Sequence, residues 1–424
     1  MIGIVGGGIS GLFLLHLLTK QGVEALLFEA DGEPGGVIRS RRLTGPSGEV
    51  TADLGPQRVR LTPGLGTIVD DLGLRPSLLR APTGVPFTVY YRGHLHPAPL
   101  GVRDALRSSL ISWGGKLRAL GDLVTGPPAP EESVAHALRR KLGPEIFERL
   151  AGPILGGLYG SHPEEMEARH TLLPILRRTG GGRSLLLALL RASRAADLPV
   201  VSFEEGMGAL PWALAERYRD RVRPATPVRE IRSAGGGFHE IATDGDTIRV
   251  RDVVLAVPAP EAGRILATAA PEAASLVGSL RYNPLAVVPL VASDPDRLPP
   301  VGTGFKMTLD SPMATRGVTA HGTLFGRTGL FSAFLGGMGG EALMDRPDAE
   351  ILAIAQEEFR EVTGVDAAPL LVHRTHMPAW DRSWSAMDRL RLPSGLHVCA
   401  AYSDRPGIGG RLEEALRVAA RLTR

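Results

Sequence analysis

The first thirty positions fall into three patterned blocks. Residues 2–5, IGIV, form a short apolar run that reads as a buried strand. Residues 9–21 place Ile9, Leu12, Leu15 and Leu18 at helical spacing, and 23–28, VEALLF, read as a second strand with Glu29 at its end. Similar signals return far along the chain. Residues 203–218 predict a glycine turn and an amphipathic helix, and 222–231 an extended stretch through Val228. The alternation in TIRVRDV and the apolar run VVLAV predict one strand within 247–260, ended by a turn. LHVCAA predicts a buried strand near the C-terminus, followed by a turn at Gly407, Gly409 and Gly410 and a helix over 411–422. Between these blocks, 84–200 mix short strands (FTVYYRGHLHP) with helices, 282–340 are β-rich and 347–363 are helical.

The opening pattern of strand, glycine turn, helix, strand and acid, all within about 30 residues, is that of a dinucleotide site. Gly6 permits the turn, Gly8 lets backbone approach a pyrophosphate, and Gly11 lets the helix pack on the sheet. The helix N-terminus, with Ile9 and Ser10, offers free N–H groups to phosphate. Glu29 suits a ribose diol. The alternative is an ordinary glycine-rich turn. The next stretch, DGEPGGVIRS, adds a second glycine pair, Gly35 and Gly36, before Val37 and Arg39. Arg39 either serves the pyrophosphate or sits in a surface ion pair. This extension resembles the flavin-containing amine oxidase superfamily, which implies FAD. There, the stretch ADLGPQRVR would bring Gly55, Pro56, Gln57 and Arg58 near the flavin ring.

Composition narrows the class. Charged residues make up 22% and hydrophobic ones 43%, as in ordinary soluble proteins. The net charge is +3 and the basic residues are scattered, so no nucleic-acid arm is expected; anionic substrates or membrane surfaces suit the mild excess. Cys399 is the lone cysteine, which excludes an intramolecular disulfide and fits a reducing, cytoplasmic compartment. No signal peptide and no apolar run of the roughly 18–20 residues that span a bilayer is visible. The histidines, including His16, His94, His96, His162, His170, His373 and His376, show no ligand spacing, so no metal is expected.

An ordered set of motifs then resembles the oxygen-dependent, FAD-containing protoporphyrinogen oxidase family, bacterial coproporphyrinogen-oxidising relatives included. They are GGGISGL, EPGGVIRS, DLGPQRVR, GHLHPAPLGVRDALRSSLISWGGKLRALGDL, GPEIFERLAGPILGGLYGSHPEEMEARHTLLPIL, SFEEGMGALPWAL, FLGGMGG, HRTHMPAW and AAYSDRPGIGG. The resemblance implies an α/β fold: a discontinuous Rossmann-like FAD-binding domain with an interleaved β-sheet substrate domain and a helical lobe. The expected segments are 1–83, 201–270 and 386–424 for FAD, 84–200 for the lobe and 271–385 for the substrate. It also implies a six-electron aromatisation in haem biosynthesis, in which flavin takes hydrides and dioxygen becomes hydrogen peroxide, with no catalytic side chain. FAD contacts would include Gly6, Gly8, Ile9, Ser10, Gly11, Glu29, Gly36, Val37, Arg39, Gly55, Pro56, Gln57, Arg58, Val228, Gly407 and Ile408. Trp380 lies near the flavin or in the core.

For the substrate, the resemblance places Phe305 against a pyrrole ring. Phe334 and Leu335 line the same cavity; for Phe334 the alternative is ordinary core. The family's basic partner for a propionate is replaced here by Phe87. Lys306 is the substitute or is simply exposed, and Arg92, Arg58 and Arg60 are further candidates. Arg177 and Arg178 stand where the family has an acid, and KMTLD replaces its GLVP stretch. These departures open the choice of substrate, since extra cations suit the four carboxylates of coproporphyrinogen; protoporphyrinogen is placed ahead of it. An amine oxidase or desaturase and a non-catalytic flavin- or tetrapyrrole-binding protein are the competing classes. Residues 100–125 combine Leu106, Leu110, Ile111, Trp113, Leu117 and Leu120 with Arg103, Arg107, Lys116 and Arg118. They rest on a membrane, at its inner face, or pack as a lobe helix. Monomer and homodimer are both open.

Overall fold

In the computed structural model, which describes every residue except 47, 100, 195–197, 338, 405 and 424, five parallel strands lie under the opening glycines. Residues 100 and 195–197 of the expected lobe thus lie outside the described residues. The strand order is Val222–Arg223, Ala25–Phe28, Ile2–Val5, Asp252–Leu255 and Leu396–Val398. Sequence neighbours supply only one adjacent pair, so distant segments complete the sheet. The helix Ile9–Lys20 is apolar nearly all round, and Leu12, Phe13, Leu14 and Leu15 have no solvent contact. A helix of that kind belongs inside. It packs on this sheet, the helix Ala209–Arg217 and the C-terminal helix Ile408–Leu422.

The stretch 247–260 is two strands rather than one. Thr247–Val250 closes an antiparallel sheet with Val228–Ser233 and His239–Thr243, and Asp252–Leu255 enters the parallel sheet. Arg251 marks the break, because the two sheets need different strand directions. The C-terminal helix begins at Ile408, three residues before the expected 411, since Gly407 with φ +91° is its N-cap.

A second, mixed sheet of eight strands forms the other half of the molecule. Its long strand Tyr282–Ala292 pairs with Leu330–Gly336, which pairs with Thr315–Ala320, then Gly304–Met307, then the hairpin Thr88–Tyr91 and His94–Pro97. The helix Asp348–Thr363 covers one face. Phe305, Met307, Ala333 and Leu335 pack there with Ile351, Ala355 and Phe359. The opposite face looks toward the glycine-rich frame and a helical lobe that includes Val134–Leu142, Gly152–Tyr159, Leu172–Thr179 and Leu185–Arg194.

This sheet corrects the expectation for Phe305 and Leu335. Side chains alternate across a strand, and both lie on the helix-covered face. Phe305 is 1% exposed, with its ring 6.3 Å from that of Phe359. Phe305→Ala is therefore expected to cost about 3–5 kcal/mol of stability. In urea unfolding it loses stability, while the KM of the folded enzyme moves little; a large KM effect at unchanged stability would return Phe305 to the substrate.

Candidate functional site: a flavin frame facing a cationic floor

Gly6 leaves the first strand with φ +111°, a conformation that side chains disfavour, and its N–H donates to Phe28 O at 2.8 Å. A Cβ on Gly11 would stand 2.1 Å from Gly6 O, so the helix reaches this turn only without a side chain. The Glu29 carboxylate accepts the N–H groups of Gly7 at 2.6 Å and Asp31 at 2.8 Å. Those bonds fix the acid at the end of its strand. Thr226 N–H donates to Glu29 O at 2.7 Å, which brings the extended stretch leading to Val228 beside it.

The second glycine pair docks on the first. Gly35 N–H donates to Gly7 O at 2.8 Å, and a Cβ on Gly36 would lie 3.2 Å from Gly8 Cα. Arg39 donates to Gly36 O at 2.9 Å and pairs with Asp31, so of its two expected roles the structure forms the ion pair. A Cβ on Gly55 would meet Val37 O at 1.9 Å, which ties Gly55–Arg58 to the same turn. Trp380 is buried and stacks on Trp384, with ring centroids 5.1 Å apart. Trp384 Nε1 in turn donates to Tyr402 O at 3.0 Å.

The frame fits FAD on features of its own. Cβ atoms built on Gly8, Gly407 and Gly409 meet nothing within 4 Å. Val37 leaves its apolar side chain 52% exposed, and Gln57 Nε2 is buried with no hydrogen-bond partner. Open glycines, a bare apolar side chain and an orphaned donor are what a large ligand with phosphates and a flat ring would cover.

Across from this frame, register places Lys306 opposite Gly317 and Gly317 opposite Phe334. Lys306 and Phe334 therefore share the uncovered face, about two strand spacings or roughly 10 Å apart. The glycine between them leaves the floor flat. The Lys306 ammonium lies 2.8 Å from the position a Cβ would take on Gly157, in the helix that roofs this floor. Burial, and then the charge of Arg58, push Lys306 down to about 8. Arg58 itself is reachable by solvent yet crowded, and burial followed by Arg60 lowers its pKa. His321, fully buried, is held neutral: burial, then Arg327 and Arg58, push it down to about 3.

Arg92 does not join this group. It sits at the hairpin tip with φ +51°, 5.2 Å over the Tyr91 ring. It lines a surface groove of about 720 Å³ with Tyr90, Asp310 and Glu357, beside the covering helix. Four-residue strands and a two-residue turn leave it no route to the floor.

One pair went unread in the sequence. Asp53, fully buried, accepts from Ser40 Oγ at 2.6 Å, Met207 N–H at 2.7 Å and Arg327 at 3.1 Å. Arg327 also donates to Phe203 O at 2.7 Å, and so joins the glycine frame to the eight-stranded sheet. An acid inside the apolar stretch ADLG was the available signal for Asp53; Arg327 carried none.

A family model described as flavin containing amine oxidoreductase matches residues 9–422. The chain belongs to that family. It is an FAD-dependent oxidoreductase. A chloroplast protoporphyrinogen oxidase of Nicotiana tabacum is 27% identical over 99% of this chain and 85% of its own length. A coproporphyrinogen III oxidase of Bacillus subtilis is 25% identical over 86% and 83%. Among solved structures, a candidate protoporphyrinogen oxidase from Exiguobacterium sp. 255-15 superposes with a TM-score of 0.81 at 23% identity, covering 99% and 98% of the two chains. A putrescine oxidase with bound putrescine gives 0.71 at 18%, over 100% and 98%. These likenesses support the expected fold class, and the resemblance to the protoporphyrinogen oxidase type stands.

Proposed function

We propose that this flavoenzyme oxidises protoporphyrinogen IX to protoporphyrin IX, with dioxygen as acceptor and hydrogen peroxide as by-product. The observation that carries the reading is the floor: flat at Gly317, flanked by the Phe334 ring and the Lys306 cation. A wide, largely apolar ring with acidic arms matches that surface. Relatives bearing both porphyrinogen oxidase names, each aligned over most of the chain, support it. Bound FAD supplies hydride acceptance from the macrocycle and passes electrons to dioxygen. The turn at Gly6–Gly11, with Ile9, Ser10 and Glu29, holds the dinucleotide. Gly36, Val37 and Gly55–Arg58 border the ring, Val228 the adenine, and Gly407 and Ile408 the far end. Phe334 packs on the macrocycle and Lys306 orients it. Released protons pass to water.

The test follows porphyrin fluorescence in air from protoporphyrinogen or coproporphyrinogen, against a control without enzyme. Faster oxidation of protoporphyrinogen supports the reading. A preference for coproporphyrinogen III, the alternative favoured by the cations near Lys306, replaces it. No rate with either, in protein that holds FAD, overturns both.

For location, we propose that the lobe rests on an anionic bilayer surface. No helix among the described residues is long and apolar enough to cross a membrane. Trp113, Leu117, Leu120, Val124 and Leu189 are each more than half exposed. Asp122 joins the two segments that carry them, accepting from Ser184 Oγ and from Leu185 and Leu186 N–H. The buried Lys141 ammonium neutralises it at 2.9 Å. Arg103, Arg107, Lys116, Arg118, Arg183 and Arg191 flank the patch, a charge pattern suited to acidic headgroups. The double variant W113S/L117S is expected to lower co-sedimentation with phosphatidylglycerol vesicles about tenfold or more. Turnover in solution should not change. Equal sedimentation of parent and variant would discard this face.

A further inference from the structure

We propose that the surface groove between the helix Asp348–Thr363 and the hairpin tip is a docking site for an extended, arginine-bearing segment of a partner protein. The groove lies behind the substrate sheet, on its helix-covered side. It therefore stands apart from the flavin chemistry and does not depend on which porphyrinogen is oxidised.

The groove encloses about 720 Å³. Its walls carry Asp310, Glu357 and Glu361, and among the described residues none of these carboxylates forms an ion pair or a hydrogen bond. A fourth acid, Glu358, is already engaged and accepts the N–H groups of Ala314 at 2.6 Å and Thr315 at 2.8 Å. The cations at hand turn elsewhere: Arg360 pairs with Asp366 at 3.9 Å, and Arg92 lies over the Tyr91 ring. In a chain with 48 Lys and Arg against 45 Asp and Glu, three unanswered carboxylates around one cavity reverse the local sign. A second mark is independent of charge. Thr308 lines the groove and is 5% exposed, and its hydroxyl has no hydrogen-bond partner among the described residues. A hydroxyl that meets solvent only through the groove is completed by what binds there.

The geometry selects the ligand. No group of acids among the described residues converges closely enough to hold a metal ion. Glu357 and Glu361 stand one helical turn apart, about 6 Å along the axis. Alternate side chains on one face of an extended segment are about 6.8 Å apart, which matches that spacing. Tyr90 adds a phenol ring that no cation covers among the described residues, whereas its neighbour Tyr91 carries Arg149 at 4.4 Å and Arg92 at 5.2 Å. A guanidinium can lie on such a ring while its edge donates two N–H groups to a carboxylate, and an ammonium lacks that planar fork. The groove is open along the surface, so side chains that bring a backbone with them gain walls that a small free amine does not. The net positive charge of the rest of the chain repels a basic segment and leaves this groove as its landing place.

The experiment follows the fluorescence anisotropy of a labelled peptide, alternating glycine and arginine with three arginines, against the FAD-loaded protein at about 50 mM salt. The parent should bind it with a Kd of about 10–100 µM, and E357Q/E361Q should weaken binding about tenfold or more. The variant E272Q/D296N removes the same charge from exposed sites outside the groove, and should keep parental affinity. Flavin absorbance per protein should be the same in all three. Equal affinity in parent and E357Q/E361Q overturns the inference, as does an equal loss in E272Q/D296N, which would assign the attraction to the whole surface. Displacement of the peptide by spermidine at equal concentration makes a free polyamine the occupant. Self-association of the parent that E357Q/E361Q abolishes makes it a second copy of this chain. Either result discards the partner segment, and so does a parent that does not bind the peptide.

Discussion

Gly8→Ala leaves the apoprotein as stable as its parent and deprives it of FAD. Gly8 has φ −68° and ψ 174°, a backbone that alanine adopts freely, and the added methyl touches nothing within 4 Å. Stability in urea should therefore shift by only a few tenths of a kcal/mol. The methyl nevertheless occupies the approach to the first helical N–H groups, where a pyrophosphate needs close contact. We expect FAD affinity to fall about a hundredfold or more, read by flavin fluorescence quenching. Gly11→Ala makes the contrast, because its methyl would collide with Gly6 O. That variant should lose both FAD and stability. A Gly8→Ala protein that purifies yellow, with parental affinity, would remove the phosphate from this turn.

Arg327→Met is the second large effect, and it acts on folding. Removing the guanidinium strands the Asp53 carboxylate with Ser40 and Met207 as its remaining donors. Breaking a buried pair from one side costs about 3–5 kcal/mol. The loss should depend on pH in a defined direction. Burial already raises the Asp53 pKa, against the lowering influence of Ser40, Arg327 and Met207. Without Arg327 it rises further. A carboxyl whose folded pKa exceeds its unfolded value binds protons preferentially in the native state, so stability falls as pH rises through that window. The deficit of Arg327→Met should thus be smaller at pH 5 than at pH 8. Asp53→Asn, which has no proton to exchange, should show a deficit without this slope. Equal deficits of Arg327→Met at both pH values would mean that the carboxylate finds another partner.

The frame was legible because its signals are local. A strand, a glycine turn and a helix declare themselves within a dozen residues, and the steric need for Gly6 and Gly11 is written in the residues themselves. The floor was harder. In Gly304–Met307 alternation says that Phe305 and Lys306 point to opposite sides, but not which side is covered. The helix Asp348–Thr363 decides that, and it lies some forty residues on. Ranking Phe305 as a ring contact and Leu335 as a cavity wall failed for this reason. Lys306, an open choice in the sequence, became informative only when register set it beside Gly317 and the roofing helix brought Gly157 against its ammonium. Arg327 and Asp53 are 274 positions apart, and no pattern of spacing links them. The break at Arg251 was missed because the alternation in TIRVRDV runs straight into the apolar run VVLAV, and what separates the two strands is their partners.

The parallel sheet also sets a timetable. Its strands come from residues 2–5, 25–28, 222–223, 252–255 and 396–398. During synthesis the glycine turn emerges almost four hundred residues before the edge strand that completes the sheet and the helix from Ile408 that packs on the first helix. The lobe and most of the mixed sheet leave the ribosome between them, while the nucleotide platform still lacks its edge strand. A flavin frame that needs the strand Leu396–Val398 and the helix from Ile408 is expected to hold its cofactor only after those segments have been made. Such long-range closure makes folding slow. It also predicts that this closure, more than the rate of translation, governs how quickly new chains become active.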